Sequence, residues 1–425
     1  MVSKYRESSG LPGVAIVHYS APPIVGGVET ILRNQAAFLA ECGIRVRVIA
    51  GVGGEVAPGV ETVYIPELSS NHPAFQGLSG DGLRRAAEGL LDKLREAVAG
   101  FQALIVHNML TMPFNLVATA ALRLLIERSS MRAIVWCHDS PYFDPAYRIP
   151  RDEYPYTLIS EPVPGARYVT ITEHRRSQFS RLLGLPEEEI EVVRNGIDLS
   201  HFLSLAPQAV ALIDEFSLYE RDLNVISPVR ITPRKNLEMA IRICRALRYY
   251  YPDLLLIITG YLDPHNREAG AYLERLKGLV EDLEMEQHVL FLGEYRMADG
   301  TPTVADWKAT RDIYSLSDVL LLTSYAEGFG LPLLEAGLLR MPIVCSDIPT
   351  LKEIIGTTRN AIVVGLEEDP RAVAGRIHEF LSTHATFQHF KHIFREYHWK
   401  AIGKSKLLPL LGFGEKGEAG GPGFA

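Results

Sequence analysis

The sequence predicts an α/β protein built from two doubly wound parallel sheets in tandem. Three observations carry that prediction. Short apolar, β-branched runs alternate with helical patterns along the chain, the alternation restarts after a polar stretch near residue 198, and 425 residues is about three times the length of a typical domain. Apolar residues make up 47% and charged residues 22%, enough to fill two cores, which excludes a mostly disordered or fibrous chain.

In the first series, residues 14–18 read as a strand, 29–41 as a helix and 46–49 as the next strand; runs at 104–106, 133–136, 168–171 and 191–193 continue the rhythm. The second series opens with a strand at 225–229 and a helix over 237–249, where Met239, Ile243 and Leu247 recur at helical spacing. Strands at 254–259, 289–292, 319–323 and 343–345 then alternate with helices near 272–283, 312–316 and 333–339. These spans predict a first domain over 1–200 and a second over 201–395. Helical patterns follow at 372–381 and 387–411, the latter amphipathic around Trp399, and 412–425 is Gly- and Pro-rich and expected to be a disordered tail.

Lys+Arg 43 against Asp+Glu 51 gives a net charge of −8, which argues against a whole surface built for nucleic acid or anionic membrane. The longest apolar runs, such as 254–258 and 319–322, fall well short of the ~20 residues a membrane-spanning helix needs, and residues 1–13 lack the apolar core of a secretory signal. A soluble, cytoplasmic protein is expected. Cys42, Cys137, Cys244 and Cys345 are widely spaced in apolar company and read as buried thiols. No HExxH, paired CxxC or spaced Asp/His cluster suggests a metal site, and no GxSxG motif suggests a serine hydrolase. Gly51-Val52-Gly53-Gly54 is no dinucleotide fingerprint, because Val56 stands at the third glycine position and Pro58 interrupts any following helix.

In parallel α/β sheets ligands sit beyond the carboxyl ends of strands, so loops that leave strands come first. The most distinctive runs Glu327-Gly328-Phe329-Gly330-Leu331-Pro332-Leu333-Leu334-Glu335, directly after the run 319–323. Gly328 and Gly330 let the backbone approach a ligand, and Pro332 suits a first helical turn. Glu335 lies about a turn inside the helix among leucines, where a carboxylate needs a partner; two adjacent ribose hydroxyls, or a nearby Arg or Lys, would supply one. A second loop, Arg230-Ile231-Thr232-Pro233-Arg234-Lys235-Asn236, follows the strand at 225–229, and its Arg230 and Lys235 suit a diphosphate.

In the first domain Gly26-Gly27 precedes a helix, a weak signal for a phosphate or sugar hydroxyl. His138-Asp139 stands at another strand exit, where His138 either meets a reacting sugar or is a structural histidine. The segment 141–168 carries Tyr142, Phe143, Tyr147, Tyr154, Tyr156 and Tyr168 with Arg148, Arg151 and Arg167, which suits either an acceptor-binding surface or a packed insertion over the sheet. Arg84, Arg85, Lys93 and Arg95 form no continuous basic face, so peripheral membrane contact is not favoured. No role is read for the polar connection 293–311.

Together these loops resemble the retaining, nucleotide-sugar-dependent glycosyltransferases of family four (glycosyl transferases group 1). The resemblance covers most of the chain and is most specific between Glu191 and Glu353, where Asn195-Gly196-Ile197-Asp198 looks like the interdomain motif and Asp347-Ile348-Pro349 with Glu353 fits the following loop. Arg194 stands where that motif usually has proline. The resemblance implies the GT-B fold, two Rossmann-like domains facing a central cleft, with residues 396–411 crossing back to the first domain.

It further implies that Arg230 and Lys235 hold the donor diphosphate, that Glu335 binds the ribose, and that Glu327 with the backbone of Gly328, Phe329, Gly330 and Leu331 positions the transferred sugar. Gly27 would join the donor site, and His138 would lie near the sugar. Acceptor binding is expected at Gly26, Tyr142 and Arg148. The reaction so implied is metal-independent, needs no cofactor, and transfers glucose or mannose from a nucleoside diphosphate sugar to a hydroxyl of a carbohydrate-like acceptor, with retention. A nucleotide-sugar epimerase or hydrolase on the same fold, or a noncatalytic sugar-nucleotide-binding protein, are the other readings.

Overall fold

The computed structural model describes residues 13–260, 269–297, 300–303 and 307–413. The tail expected from 412 therefore lies outside the described residues except for Gly412 and Phe413, and the connection 293–311 lies partly outside them. The chain divides by its own packing into two units, one holding residues up to Asp198 together with those from Trp399, the other running from Leu199 to His398. These limits stand two to three residues from the expected ones at 200 and 395.

The first unit is a seven-stranded sheet in the order β3-β2-β1-β4-β5-β6-β7. Its strands are β1 (Gly13–Ser20), β2 (Arg45–Val52), β3 (Val60–Tyr64), β4 (Ala103–His107), β5 (Arg132–Cys137), β6 (Ala166–Thr170) and β7 (Ile190–Val192), each parallel to its neighbours. Alternate residues of β1 face opposite ways: Ala15, Val17 and Tyr19 join one core cluster, while Val14 and Ile16 join the other. A sheet packed on both faces explains why central strands read as continuous apolar runs.

The second unit is a six-stranded sheet in the order β10-β9-β8-β11-β12-β13, comprising β8 (Leu223–Ser227), β9 (Leu254–Ile258), β10 (Val289–Phe291), β11 (Val319–Leu322), β12 (Ile343–Ser346) and β13 (Ala361–Val364). Numbered within the unit this is 3-2-1-4-5-6, the doubly wound order, and all its pairings are parallel. Met239, Ile243 and Leu247 are all buried on the helix Leu237–Leu247. A buried ion pair, Lys391 Nζ to Asp318 Oδ2 at 2.6 Å, fastens the helix Ala385–Glu396 to the entry of β11. The same carboxylate oxygen accepts from the Asn224 N–H at 2.7 Å, joining β8 and β11 at their amino ends.

The continuous helix expected over 387–411 does not form. The helix Ala385–Glu396 stops at Tyr397; His398 stacks on Tyr219 at 3.6 Å, and a new helix begins at Trp399. From there Trp399, Ile402, Leu407, Leu408, Leu410 and Leu411 complete the first unit's core beside Val14, Ile16 and Phe38. The Trp399 N–H donates to the Ile197 carbonyl at 3.0 Å, and a Cβ at Gly196 would lie 2.8 Å from the indole, so glycine lets the 195–198 segment lie against that ring.

All four cysteines are free thiols; Cys137, Cys244 and Cys345 are buried as expected, whereas Cys42, ending a surface helix, is only half-buried. Among the described residues no helix is long and apolar enough to cross a membrane. Because Trp399 fills space against a central sheet face, Trp399→Ala is expected to lower the stability of the first unit by about 3–5 kcal/mol. Chemical denaturation of the whole chain, followed by a probe in that unit, checks this.

Candidate functional site

Parallel order puts the exits of all strands at one end of each sheet, and the loops singled out from sequence leave β8 and β11 in the second unit and β5 in the first. In the second unit the loop after β8 ends in a tight turn, Pro233–Lys235, closed by Asn236 in the left-handed conformation (φ 49°) before the helix Leu237–Leu247. The loop after β11 is tied to it. The Tyr325 N–H donates to the Arg234 carbonyl at 2.9 Å, and the Thr323 hydroxyl donates to the Asn236 carbonyl at 2.8 Å.

That clamp brings Lys235 and Glu327 together, with the ammonium 2.6 Å from Glu327 Oε1 and side chains only 12% and 8% exposed. The Ser324 hydroxyl donates to the same oxygen at 2.5 Å. An ammonium and a carboxylate removed from water in this way need each other, and the pair fixes both. Arg230 lies exposed five residues before Lys235 on the same loop.

Gly330 has φ 101°, and a Cβ there would meet Leu351 Cδ2 at 2.7 Å, so this turn into the helix Leu331–Leu338 admits only glycine. A Cβ at Gly328 would meet nothing within 4 Å. Phe329 and Leu331 are exposed beside it.

Glu335 departs from expectation. The leucines around it do not bury it: Leu334, Leu338 and Leu339 are themselves exposed, Leu338 by 85%, because this short helix covers the sheet with Leu333 and Ala336 alone. Glu335 is also exposed, and one carboxylate oxygen accepts from the buried Tyr314 hydroxyl at 2.7 Å rather than from an Arg or Lys. Burial, reinforced by the adjacent Glu335 carboxylate, raises the Tyr314 phenol so that it stays a donor.

In the first unit an open depression of about 620 Å³ is lined by Gly27, Asn108, His138, Asp139, Arg175 and Asn195, among others. Asn108 stands in the left-handed conformation (φ 56°), and its Oδ1 accepts from the backbone N–H groups of His138 and Asp139 at 2.8 and 3.2 Å. The Asp139 carboxylate pairs with Arg175 at 3.0 Å. His138 Nε2 lies 3.0 Å from His107 Nδ1, His107 Nε2 lies 2.9 Å from Gln35 Oε1, and the His107 carbonyl lies 2.9 Å from His18 Nδ1. Burial lowers all three histidines, His107 well below the ordinary range and His138 to about 3; the neighbouring imidazoles add to this at both.

Gly27 and His138 thus share a cavity, whereas Gly26, Tyr142 and Arg148 do not line it. Gly26 makes room for Glu29, whose Oε2 would lie 2.0 Å from a Cβ at that position. The Tyr142 hydroxyl donates to the Pro150 carbonyl at 3.0 Å, and the ring packs on the unit's core. Arg148 is exposed. The segment 141–168 is held as a packed insertion: Arg123 donates to the Leu158, Glu161 and Pro162 carbonyls, and Arg151 to the Leu182 carbonyl at 2.6 Å.

Sequence reading passed over His18, His107, Gln35, Asn108, Tyr314 and Ser324. Two signals were present: His107 ends a buried strand run and His18 lies two residues from the end of another, and Gln35 occupies a buried position of a helical stripe shared with Ile31 and Leu39. Among the described residues no group of three or more His, Cys, Asp or Glu side chains is placed to hold a metal ion.

Compared with known families, residues 25–201 match the model of glycosyltransferase family 4, and residues 211–397 match that of the glycosyl transferases group 1. The chain belongs to the group 1 glycosyltransferases of family 4. Its two doubly wound units fit the two-domain GT-B plan of that family.

Among relatives of this glycosyltransferase, O-antigen chain mannosyltransferase B of Escherichia coli is 26% identical over 57% of this chain and 58% of its own length. The GDP-mannose-dependent alpha-(1-6)-phosphatidylinositol monomannoside mannosyltransferase of Mycolicibacterium smegmatis is 26% identical over 48% and 53%. The chain thus spans little more than half the length of these two. An uncharacterized glycosyltransferase of Methanocaldococcus jannaschii is 23% identical over 93% of this chain and 96% of its own. A crystal structure of a Rickettsia africae glycosyltransferase is 16% identical, covering 95% of this chain and 99% of that one, with a TM-score of 0.38.

The buried histidines make the first unit of this glycosyltransferase acid-sensitive. Folded, they remain neutral; unfolded, they take up protons at their ordinary pKa of 6.5, so falling pH favours the unfolded state. Stability of that unit is expected to fall as pH drops below 6.5, by up to about 1.4 kcal/mol per pH unit from His138 down to about pH 3, with His107 adding to the slope and His18 adding less because Glu29 opposes its shift. His107→Gln should flatten the slope. Urea unfolding at pH 7.5, 6 and 5 measures both.

Proposed function

We propose that this glycosyltransferase moves a hexosyl group, glucose or mannose, from a nucleoside diphosphate sugar to a hydroxyl of a carbohydrate-like acceptor, with retention and without a metal. The observation that carries the reading is the Lys235–Glu327 pair at the exits of β8 and β11, with Glu335 about a turn into the next helix. Relatives named as mannosyltransferases, one of them GDP-mannose-dependent, support mannose as one of the two sugars.

In this reading Arg230 and Lys235 meet the donor diphosphate. Glu327, bonded to Lys235, holds the ammonium in place, and the backbone of Gly328, Phe329, Gly330 and Leu331 lines the transferred sugar. Glu335 receives the ribose hydroxyls on the oxygen that Tyr314 leaves open, and in the first unit His138 and Gly27 line a depression suited to a sugar hydroxyl. The bond between the anomeric carbon and the diphosphate oxygen breaks as the acceptor oxygen bonds to that carbon from the same face. The acceptor proton passes to the departing diphosphate. Negative charge grows on the leaving group, and the Arg230 and Lys235 cations with a helix amino end offset it.

Removing one such charged contact costs about 3 kcal/mol, or roughly a hundredfold in rate. Lys235→Ala and Glu327→Ala should each lose about that much turnover at saturating donor, and the double variant little more, because the two side chains act as one pair. Nucleotide release and product mass, followed together with a panel of nucleotide sugars and pooled acceptors, test this. Full turnover in both single variants would overturn the site assignment, and free sugar released without any acceptor would point to hydrolysis instead.

A further inference from the structure

The histidines near the carboxyl ends of β1, β4 and β5 form a bonded row whose proton positions follow from which partners can only accept. A carbonyl oxygen donates nothing, so His18, 2.9 Å from the His107 carbonyl, carries its proton on Nδ1. The Gln35 Oε1 likewise only accepts, so His107 carries its proton on Nε2. A neutral imidazole has one N–H. His107 Nδ1 is therefore a lone pair, and the contact at 3.0 Å must be filled by a proton on His138 Nε2. That leaves Nδ1 as the bare nitrogen of His138, the residue that lines the depression with Gly27 and Asn108.

We propose that Gln35 and His107 are positioning residues that fix His138 as its Nε2–H tautomer, so that His138 meets a substrate hydroxyl as a neutral hydrogen-bond acceptor through Nδ1 and not as an acid. The inference rests on the reading that His138 faces substrate.

Two further observations support it. Gln35 is fully buried within an apolar helix stripe, and its Nε2 has no partner. A leucine there would spare the orphaned amide nitrogen but leave His107 Nε2 without its partner, so the amide makes sense through what its oxygen does for His107. The His138 main chain is separately fixed by Asn108 Oδ1, which leaves ring orientation and proton placement to the His107 bond. Burial keeps the row neutral, as one-proton bookkeeping requires.

The test uses the whole chain with ¹⁵N-labelled histidine, reading ring nitrogens by long-range ¹H–¹⁵N correlation at pH 7, with His138 assigned by the signals lost in His138→Ala. Wild type should show His138 protonated at Nε2 and bare at Nδ1. Gln35→Leu should shift His138 toward the other tautomer and lower kcat/KM by about tenfold, mostly through KM. Gln35→Met replaces it if the leucine variant does not fold.

An imidazolium or an Nδ1–H at His138 in wild type, or an unchanged His138 pattern in Gln35→Leu, would overturn the relay. Full turnover in His138→Ala would overturn its substrate-facing half. Because the spectra do not depend on turnover, the two failures are told apart.

Discussion

Parallel pairing of each sheet's first and fourth strands decides where chemistry can reside in this protein. With β1 beside β4 and β8 beside β11, the connections on either side of each pair depart in opposite directions and open a crevice at the strand exits. The polar side chains with specific bonded partners at those exits, from Gln35 and His107 to Lys235 and Glu327, are held by elements adjoining that point. Elsewhere the strands carry little but aliphatic packing. The sheet order is thus the condition under which residues 92 positions apart, Lys235 and Glu327, come within bonding distance.

The two units use the same plan with different electrostatics. The first keeps three histidines uncharged by depriving them of water, beside the Asp139–Arg175 pair that lines the same depression. The second keeps its charges and neutralises them in pairs, through Lys235 with Glu327 at the exits and Lys391 with Asp318 at the opposite end of the strands.

Central strands were legible in the sequence because a sheet covered on both faces leaves little place for polar side chains, with His18, His107 and Asn224 as exceptions that find buried partners. The edge strands β3 and β13 were not, since one flank of each meets solvent and their apolar runs are broken or half-exposed. The helix over 387–411 misled because periodicity carries no record of a change in packing partner, and the break falls where the chain leaves one core for the other. Glu335 misled for a related reason: leucines promise burial only if something covers them, and Leu338 has nothing over it within its own unit. Charged loops could be read from residue type and position after a strand. The histidine row could not, because its meaning depends on three strands being adjacent in space, and linear order separates them by other elements.

Trp399 and the leucines after it belong to a core whose other members lie before residue 198. The second unit is therefore inserted into the first, and the ribosome finishes it before it delivers the last piece of the unit that began earlier. Until the carboxy-terminal segment arrives, one face of the first sheet has the helix Gly27–Glu41 packed on it but lacks the cover of Trp399 and the leucines that follow. Order of synthesis and order of completion are reversed in this chain, so a release even a few dozen residues early would yield a finished second half tethered to an unfinished first.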